Sequence, residues 1–581
     1  MTSGPGPLVP DAPDAPEASH SAEALPGATR APAPADPALS DPAPARVQTY
    51  GSDALLVDLP DLAAVRALDD RLRAHPLPGV VDVVPAARTL LVRLSGPSRV
   101  DAARDWITET LRQVAPSGPA APAAAATPSI PSDDRTDEAP LVVLPVVYDG
   151  PDLDEVAGLT GLDVAEVVRR HTAATYTVAF GGFMPGFAYL TGLDPALHVP
   201  RRSSPRTRVP AGAVAVAGEF AAVYPAATPG GWRLLGTCDV PLFDVDRDPP
   251  ALLVPGTRVR FAPTPSEAPD PASPAAAAEP VAAPEPPVTV TTPVTVEVRA
   301  TGPLALVQDA GRPGLAAVGV GRSGAADAGA LRRANRLVGN APGAAALEVL
   351  LGGAVLAFPG GGVVALAGAE VPVAVDGVPV PAHQAVRVPP GGVLVAGSAS
   401  RGLRLYVAVR GGVAVPEVLG SRSADRLAGI GPAPLEPGDV LPVGGAAHEA
   451  AQPWPDSPRV WPRAGEPVRL PVLPGPRPEW FAAGALDALG VSPYVVSPAS
   501  DRVALRLEGA PVVRVEGGEL PSEPVVPGAV QVPPDGLPVV FGADHPVTGG
   551  YPVVAVLTPG ARDAAAQLRP GDRVLLVPGS G

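Results

Sequence analysis

The placement of proline and glycine constrains this chain more than any other feature of its sequence. The 82 Pro and 64 Gly together exceed a quarter of the 581 residues, a proportion typical of disorder or of a fold with many turns. In some tracts proline stands with alanine and few other residues, which predicts tails and linkers. Elsewhere proline and glycine separate short Val-rich runs, which predicts turns between strands.

Composition and periodicity divide the chain into seven segments. After a Pro/Ala/Asp-rich tail, a strand–helix–strand–strand–helix pattern predicts a small α+β domain. The other folded segments are mostly short strands, and closed barrels would leave them no exposed edges. The predicted segments are a disordered tail (1–45), an α+β domain (46–115), a linker (116–140), a first β unit (141–262), a second linker (263–287), and second and third β units (288–445 and 446–581).

Helical patterns are few within the β units. One helix is predicted over Leu153–Ala173 and another over Asp327–Val338, with shorter ones near Pro478–Leu489 and Ala561–Leu568. The uncharged stretch Val349–Ala369 is long enough to span a bilayer. Its Gly pairs and its proline instead predict buried strands with turns.

The sequence contains no lysine, so all 43 basic residues are arginine. This excludes mechanisms that need a lysine in this chain: P-loop nucleotide hydrolysis, Schiff-base chemistry, a lysine-base hydrolase and a biotin carrier.

The net charge of −16 argues against nucleic acid as a partner. Cys238 is the single cysteine, which excludes an intrachain disulfide, and no metal site is predicted. The N-terminus lacks a signal-peptide pattern, so a cytoplasmic protein without a membrane partner is expected.

Candidate binding residues of the first half lie in two segments. FGGFMPGFAYL (180–190) interleaves aromatic residues with glycine, which suits a pocket wall approached closely by backbone, or else an aromatic core plug. Arg206 and Arg208 belong to an Arg-rich loop suited to carboxylate or phosphate oxygens, or simply to solvent. The candidates from the aromatic segment are Phe183, Pro185, Gly186 and Phe187.

In the second half, a Gly-rich segment (306–340) leads into a predicted helix. A helix N-terminus beside Gly N–H groups binds anions, and a Ser or Asp there caps the helix. The candidates from this segment are Gln308, Asp309, Arg312, Ser323 and Asp327.

The third β unit carries Gln531, Asp544 and His545 in a polar set on otherwise apolar strands. His545 stands between an aspartate and a Gly-rich turn, which suits acid–base work. The alternative is a turn histidine that bonds only to backbone.

Taken together, these segments resemble two related families. GSDALLVDL, FGGFMPGFAYLTGL and PRTRVPAGAVAVAGEF are similar to the B subunit of bacterial ATP-dependent 5-oxoprolinase, which is the allophanate hydrolase subunit 1 or kinase A inhibitor family. LVQDAGRPGLAAVGVGRSGAADAG, LGSRSADRLAGIG and FGADHPVTGGYPVVAVL are similar to its C subunit, the allophanate hydrolase subunit 2 family. The resemblance extends over 46–578 apart from the predicted linkers and indicates a B–C fusion.

The resemblance implies a mainly β fold with a small α+β N-terminal domain and three cyclophilin-like β barrels. It also implies ATP-dependent hydrolysis of the lactam 5-oxo-L-proline to L-glutamate, with Mg²⁺ accompanying ATP, no covalently bound cofactor and a separate A subunit as partner. Asp309, Asp544 and His545 would be the acid–base groups, while arginines and Gly N–H groups would hold phosphate or carboxylate. A homo-oligomer is compatible with this assignment.

Two other functions remain open. The same modules form the carboxyltransferase part of urea carboxylase, where a carboxyl group moves from biotin to urea. The family also includes a kinase inhibitor, which would make the protein a regulator. The missing lysine favours the oxoprolinase interpretation, because neither the biotin carrier nor the amidase of urea amidolyase is possible within this chain.

Overall fold

The N-terminal α+β domain forms a four-stranded antiparallel sheet, in the order β1-β2-β4-β3, covered by two helices. The Asp61 carboxylate caps the first helix by accepting from the Ala64 N–H at 2.8 Å, and Leu68, Leu90 and Ile107 pack between helices and sheet. The elements are β1 Arg46–Thr49, β2 Ala54–Asp58, α1 Leu62–Ala74, β3 Val80–Pro85, β4 Thr89–Leu94, a 3₁₀ turn Pro97–Arg99 and α2 Val100–Val114.

The computed structural model describes residues 45–114, 141–202, 204, 206–265, 294–445, 447–457, 459–463, 465–515 and 520–579. The predicted tail, the first linker and most of the second lie outside these residues. Within them, no helix is long and apolar enough to cross a membrane.

The first β unit is a seven-stranded sheet in the order β12-β9-β10-β7-β6-β13-β5. The prediction of one helix over Leu153–Ala173 is wrong, because Gly161 adopts a left-handed conformation (φ 70°) that ends the first of two helices. Asp163 then caps the second. The elements are β5 Leu141–Val146, α3 Leu153–Thr160, α4 Val164–Ala173, β6 Tyr176–Gly181, β7 Ala188–Thr191, a 3₁₀ turn Pro195–Leu197, β8 Arg206–Val209, β9 Ala213–Ala217, β10 Phe220–Val223, β11 Thr228–Gly230, β12 Arg233–Thr237 and β13 Arg258–Pro263.

The second β unit encloses its core between two sheets, ordered β20-β19-β22-β17-β14-β24 and β15-β16-β23-β18-β21. Helix α5 packs on the latter through Leu331 and Ala334. The stretch 349–369 forms buried strands, as predicted. The elements are β14 Thr295–Thr301, β15 Ala305–Gln308, a 3₁₀ turn Ala316–Val318, α5 Ala328–Val338, β16 Ala346–Leu350, β17 Ala354–Phe358, β18 Gly362–Glu370, β19 Val373–Val375, β20 Val378–Pro379, β21 Val386–Val388, β22 Gly392–Ala396, β23 Arg401–Val409 and β24 Val440–Pro442.

The third β unit closes into a barrel, β25-β32-β29-β30-β27-β26-β33. The helix predicted near Pro478–Leu489 is a 3₁₀ turn and a short α-helix, because Gly484 is left-handed (φ 79°) between them. The elements are β25 Val468–Pro474, a 3₁₀ turn Pro478–Trp480, α6 Ala485–Ala488, β26 Tyr494–Val496, β27 Ala504–Glu508, β28 Glu523–Pro524, β29 Ala529–Gln531, β30 Val539–Phe541, β31 Thr548–Gly549, β32 Val553–Leu557, α7 Pro559–Ala565 and β33 Arg573–Pro578.

The predicted mainly β fold with a small α+β N-terminal domain and β barrels is confirmed. Each β unit has a hydrophobic core of its own. Among the described strands, hydrogen bonding closes the ring in the third unit, whereas the first unit has a seven-stranded sheet and the second unit has two sheets around its core.

Candidate active site

The N-terminal domain packs directly on the last barrel. Tyr50, Leu56 and Leu91 share one buried apolar cluster with Phe541 and Val556 of that barrel. At its edge, Arg477 donates to Asp58 of the N-terminal domain at 2.5 Å and to Glu523 of the third β unit at 2.9 Å. The N-terminal domain and the third β unit therefore share a buried core.

The aromatic segment predicted as a binding loop lies at the same junction between the halves. The Phe183 N–H donates to Thr548 Oγ1 at 2.8 Å, and the Gly186 N–H donates to the Val318 carbonyl at 3.1 Å. Phe183 itself has a left-handed φ of 63°. These contacts make the loop a contact between the first half and both later β units.

Inside that loop, Phe187 is 2% exposed and Pro185 is buried. The Phe187 ring packs edge-on against Tyr224 and Trp232, with centroid distances of 5.2 and 5.7 Å. This favours the core-plug interpretation for Phe187.

The two candidate arginines of the first half have different surroundings. Arg206 donates from both terminal nitrogens to Asp152, at 2.9 and 2.6 Å. Asp152 is buried, so this pair anchors β8 to the start of α3. Arg208 is exposed and forms no ion pair with a described residue. Their proposed role as an anion clamp stays a prediction.

A cavity of about 260 Å³ lies between the second and third β units, and the N-terminal domain contributes to its wall. Ser323, Ala325 and Ala328 line it near the start of α5, and Phe541 lines it from the barrel. The charged lining residues are Asp53, Arg93, Arg322, Arg332, Arg404, Asp501, Arg502, Arg562 and Asp563. Arginine predominates, which suits an anionic ligand.

A buried ionic network forms one side of the cavity. The Arg502 guanidinium donates to both Asp544 oxygens at 2.8 and 2.9 Å, to Glu348 at 2.5 Å and to the Gly324 carbonyl at 2.7 Å. The Ser323 hydroxyl, on the cavity wall, donates to Asp544 Oδ1 at 2.6 Å. Ser323 has a left-handed φ of 52°, a strained conformation of the kind held at functional sites. Asp544 thus reaches the cavity through Ser323.

Asp327 is a helix cap within the same network. Its carboxylate accepts from the Ala330 N–H and from Gln567 Nε2, both at 2.8 Å, and pairs with Arg459. Its own N–H donates to the Tyr406 hydroxyl, which in turn donates to Glu348. Burial raises the pKa of Asp327 to about 6. The predicted cap is confirmed, and the carboxylate is occupied by protein donors.

Asp309 organises the loop 421–426. Its oxygens accept from the Ser421 hydroxyl at 2.7 Å, the Ser423 hydroxyl at 2.5 Å, the Arg422 N–H at 2.6 Å and the Gly311 N–H at 2.8 Å. Because four donors already bind the Asp309 carboxylate, it is suited to positioning the loop rather than to proton transfer.

Gln308 and Arg312 also bind the loop 421–426. Gln308 Nε2 donates to the Ala424 carbonyl at 2.8 Å, and Arg312, only 1% exposed, donates to the Ser423 carbonyl. The Arg426 N–H then donates to Asp544 Oδ2 at 3.1 Å. Burial and the charge of Asp544 raise the pKa of Asp425 to about 6. The loop therefore connects these residues to the network beside the cavity.

His545 and Gln531 lie in the barrel next to these groups. His545 Nδ1 is 2.7 Å from the Pro546 carbonyl; because a carbonyl only accepts, Nδ1 carries the proton. Burial lowers the pKa of His545 to about 4, so the ring is neutral at pH 7 with its acceptor on Nε2. Gln531 Nε2 donates to the Tyr551 carbonyl at 2.9 Å and supports the turn beside Thr548.

The structure therefore brings Ser323, Asp544 and the loop held by Asp309 together, but among the predicted residues only Ser323 lines the cavity. Sequence reasoning missed Glu348 and the lining arginines as site residues. Glu348 had a readable signal, because it is a lone acid in the apolar run AALEVLLGG. The lining arginines come from three separate regions of the chain, so no local pattern could group them.

Comparisons with known families match both halves. Residues 318–578 match the carboxyltransferase domain, subdomain A and B, and residues 45–253 match the carboxyltransferase domain, subdomain C and D. The B subunit of 5-oxoprolinase from Escherichia coli O157:H7 is 40% identical over 194 residues, 33% of this chain and 81% of the relative. The C subunit from Escherichia coli K12 is 38% identical over 259 residues, 44% of this chain and 82% of the relative.

Two further relatives match the chain to different extents. The crystal structure of a protein named TTHA0988 is 35% identical, with a TM-score of 0.73, over 90% of this chain and 99% of that one. Urea amidolyase of Lachancea kluyveri is 32% identical over 308 residues, 48% of this chain but only 17% of its own length. From the matches to both 5-oxoprolinase subunits it follows that this chain belongs to the family of the B and C subunits of 5-oxoprolinase, joined here in one polypeptide.

Proposed function

We propose that this chain is the B–C component of an ATP-dependent 5-oxoprolinase, which hydrolyses 5-oxo-L-proline to L-glutamate together with a separate A subunit. The observation that supports this most is the arginine-lined cavity at which both subunit-like halves meet. Opening the lactam develops negative charge on oxygen, and transfer of a phosphoryl group from ATP does the same. Fixed guanidinium groups stabilise such charge.

ATP would enter as a substrate, with Mg²⁺ bound to its phosphates. Magnesium usually keeps several waters and takes phosphate oxygens as ligands. The arginines of the cavity, rather than a P-loop lysine, would then hold the anionic groups of this chain's ligands.

The test is reconstitution with a candidate A subunit. The full chain, the A subunit, ATP, Mg²⁺ and 5-oxo-L-proline are mixed, and glutamate and ADP are measured against mixtures lacking each component. Glutamate formation that requires both proteins and ATP supports the proposal. Its absence with every A subunit from neighbouring genes would count against it.

A carboxyltransferase of the urea carboxylase type is the second candidate, because both matching family models are carboxyltransferase domains. In that case the chain would consume urea in the presence of a carboxybiotin donor and ignore 5-oxo-L-proline. Running both substrates in parallel separates the two functions.

Within the proposed function, Ser323 and Asp544 form the proton path to the cavity. His545, which follows Asp544 in the same loop, is a further acid–base group. Ser323→Ala removes the 2.6 Å bond that connects Asp544 to the cavity, so kcat should fall by about 10²-fold. The exposed Ser400→Ala serves as control. An unchanged kcat for both Ser323→Ala and His545→Gln would end the acid–base assignment.

A further inference from the structure

Three arginines of the cavity wall come from three parts of the fold. Arg93 lies on β4 of the N-terminal domain, Arg322 precedes α5, and Arg562 lies on α7 of the barrel. All three line the cavity. None of them belongs to the buried network around Arg502, so the carboxylates of that network do not neutralise their charges.

These arginines have few acidic partners. Among the described residues, Arg322 and Arg562 have no carboxylate oxygen within 4.0 Å. Arg322 Nε donates to the Ala310 carbonyl at 3.1 Å, and Arg562 Nη1 donates to the Pro527 carbonyl at 3.4 Å. Each contact uses one of the three guanidinium nitrogens. Arg93 has one ion-pair partner, Asp82, at 3.7 Å.

Their charges also act on one another. Burial lowers the pKa of Arg93, and the charge of Arg322 lowers it further. Burial likewise lowers the pKa of Arg562, with a further contribution from Arg93. Asp53 on the same wall partly offsets both shifts, together with Asp82 for Arg93 and Asp563 for Arg562, but the repulsion between the guanidinium groups remains. An anion bound among them would relieve this repulsion.

We propose that Arg93, Arg322 and Arg562 form an anion subsite that binds a carboxylate or phosphate group of a small ligand. The N-terminal domain thereby completes, through Arg93 and Asp53, a cavity otherwise built from the C-subunit-like half. A cavity of about 260 Å³ admits a small molecule, and guanidinium forks match both anions. The subsite deepens the proposed function and rests on it only for the identity of the ligand.

The test is calorimetric binding to the full chain without any A subunit. The probes are inorganic phosphate, ADP and 5-oxo-L-proline. Arg322→Gln and Arg562→Gln should each weaken binding about tenfold or more, as expected for losing a charged hydrogen-bond donor. Arg506→Gln is the matched control: it removes the same charge from the same barrel, but Arg506 is exposed and does not line the cavity.

Arg93 needs a second variant because it also pairs with Asp82. Arg93→Lys keeps the charge and loses the planar fork, so it should weaken binding while circular dichroism and the melting temperature stay near those of the parent. Arg93→Gln should weaken binding further. A parent-like affinity in both would show that the N-terminal domain adds nothing to the subsite.

The outcomes separate the ligands and the two proposals. Losses confined to phosphate and ADP identify a phosphate subsite, and losses confined to 5-oxo-L-proline identify a carboxylate subsite. Absence of binding to the parent chain, or equal binding by parent and variants, overturns the subsite. Binding that depends on the arginines in a chain with no oxoprolinase activity on reconstitution would instead refute the proposed function alone.

Discussion

At the scale of single residues, the buried Arg502 guanidinium pairs with two buried carboxylates, those of Asp544 and Glu348. It is 7% exposed, and it is the ion-pair partner of Asp544 among the described residues. Arg502→Met would leave the Asp544 carboxylate buried without a counterion, although Arg404 stays 3.5 Å from Glu348. The free energy of unfolding should fall by about 3–5 kcal/mol, measured by chemical denaturation.

The control is Arg506→Met, on the exposed side of the neighbouring strand β27. Surface substitutions of this kind usually change stability by about 0.5 kcal/mol or less. Equal losses for the two variants would mean that the buried network does not stabilise the fold.

His171 makes stability depend on pH. Burial lowers its pKa to about 3 from the ordinary 6.5, and its ring stacks on Phe261 at 4.5 Å. Between these values the unfolded chain binds a proton that the folded chain does not. Stability is therefore complete above pH 6.5 and is lost as pH falls, by about 1.4 kcal/mol per pH unit.

His171→Phe keeps the stacking and removes the titration, but it also removes the 2.7 Å hydrogen bond to the Tyr148 hydroxyl. The titration is therefore isolated by the change with pH in the stability difference between parent and variant. Melting temperatures of both proteins from pH 7.5 to 4.5 should show the parent losing stability more steeply. Parallel curves would contradict the assignment.

At the scale of elements, the loop 181–187 fits against the turn 316–319 because both contain glycine. A Cβ at Gly319 would lie 2.1 Å from the Met184 carbonyl oxygen, and its φ is 80°. Gly377 has a φ of 77° with nothing within 4 Å of a Cβ. In both alanine variants the left-handed backbone costs about 1 kcal/mol, but only Gly319→Ala also separates the two elements.

Gly319→Ala should therefore lower the melting temperature clearly more than Gly377→Ala and expose the loop to proteolysis. Thermal scans and limited proteolysis measure both effects. Similar melting temperatures and cleavage patterns would show that the close approach is unimportant.

Elements differ in how far the sequence predicts them. Strands and the cap at Asp327 are visible locally, because alternation and capping act over a few residues. The break at Gly161 inside an apolar helical pattern was missed. Apolar periodicity continues through Leu153–Ala173, and only the left-handed Gly161 and the Asp163 cap end one helix and start another.

At the scale of the whole molecule, the two halves should stay together after the chain is cut. The N-terminal sheet shares a buried cluster with the last barrel, and Arg477 joins Asp58 to Glu523. A specific protease site inserted within residues 266–293 allows cleavage of the purified chain. Both fragments should then elute together in size-exclusion chromatography at physiological salt.

Arg477→Ala leaves the partly buried Glu523 without this partner and removes the link to Asp58, so the cut halves should dissociate at a higher protein concentration than the parent halves do. Arg469→Ala, on an exposed position of β25, is the control. Immediate separation of the parent halves would mean that the covalent connection, rather than the packing, holds them.

The family, the mainly β architecture and the chemistry that a lysine-free chain excludes can all be read from the amino-acid sequence. These follow from local alternation, turn residues and short motifs, which act over neighbouring residues. The folded chain shows in addition that Asp309 holds the loop 421–426, that Asp327 also binds Gln567, and that Arg93, Arg322 and Arg562 line one cavity. Those roles depend on burial and on contacts between residues more than one hundred positions apart, such as Asp309 with Ser421 and Asp327 with Gln567, which no local pattern encodes.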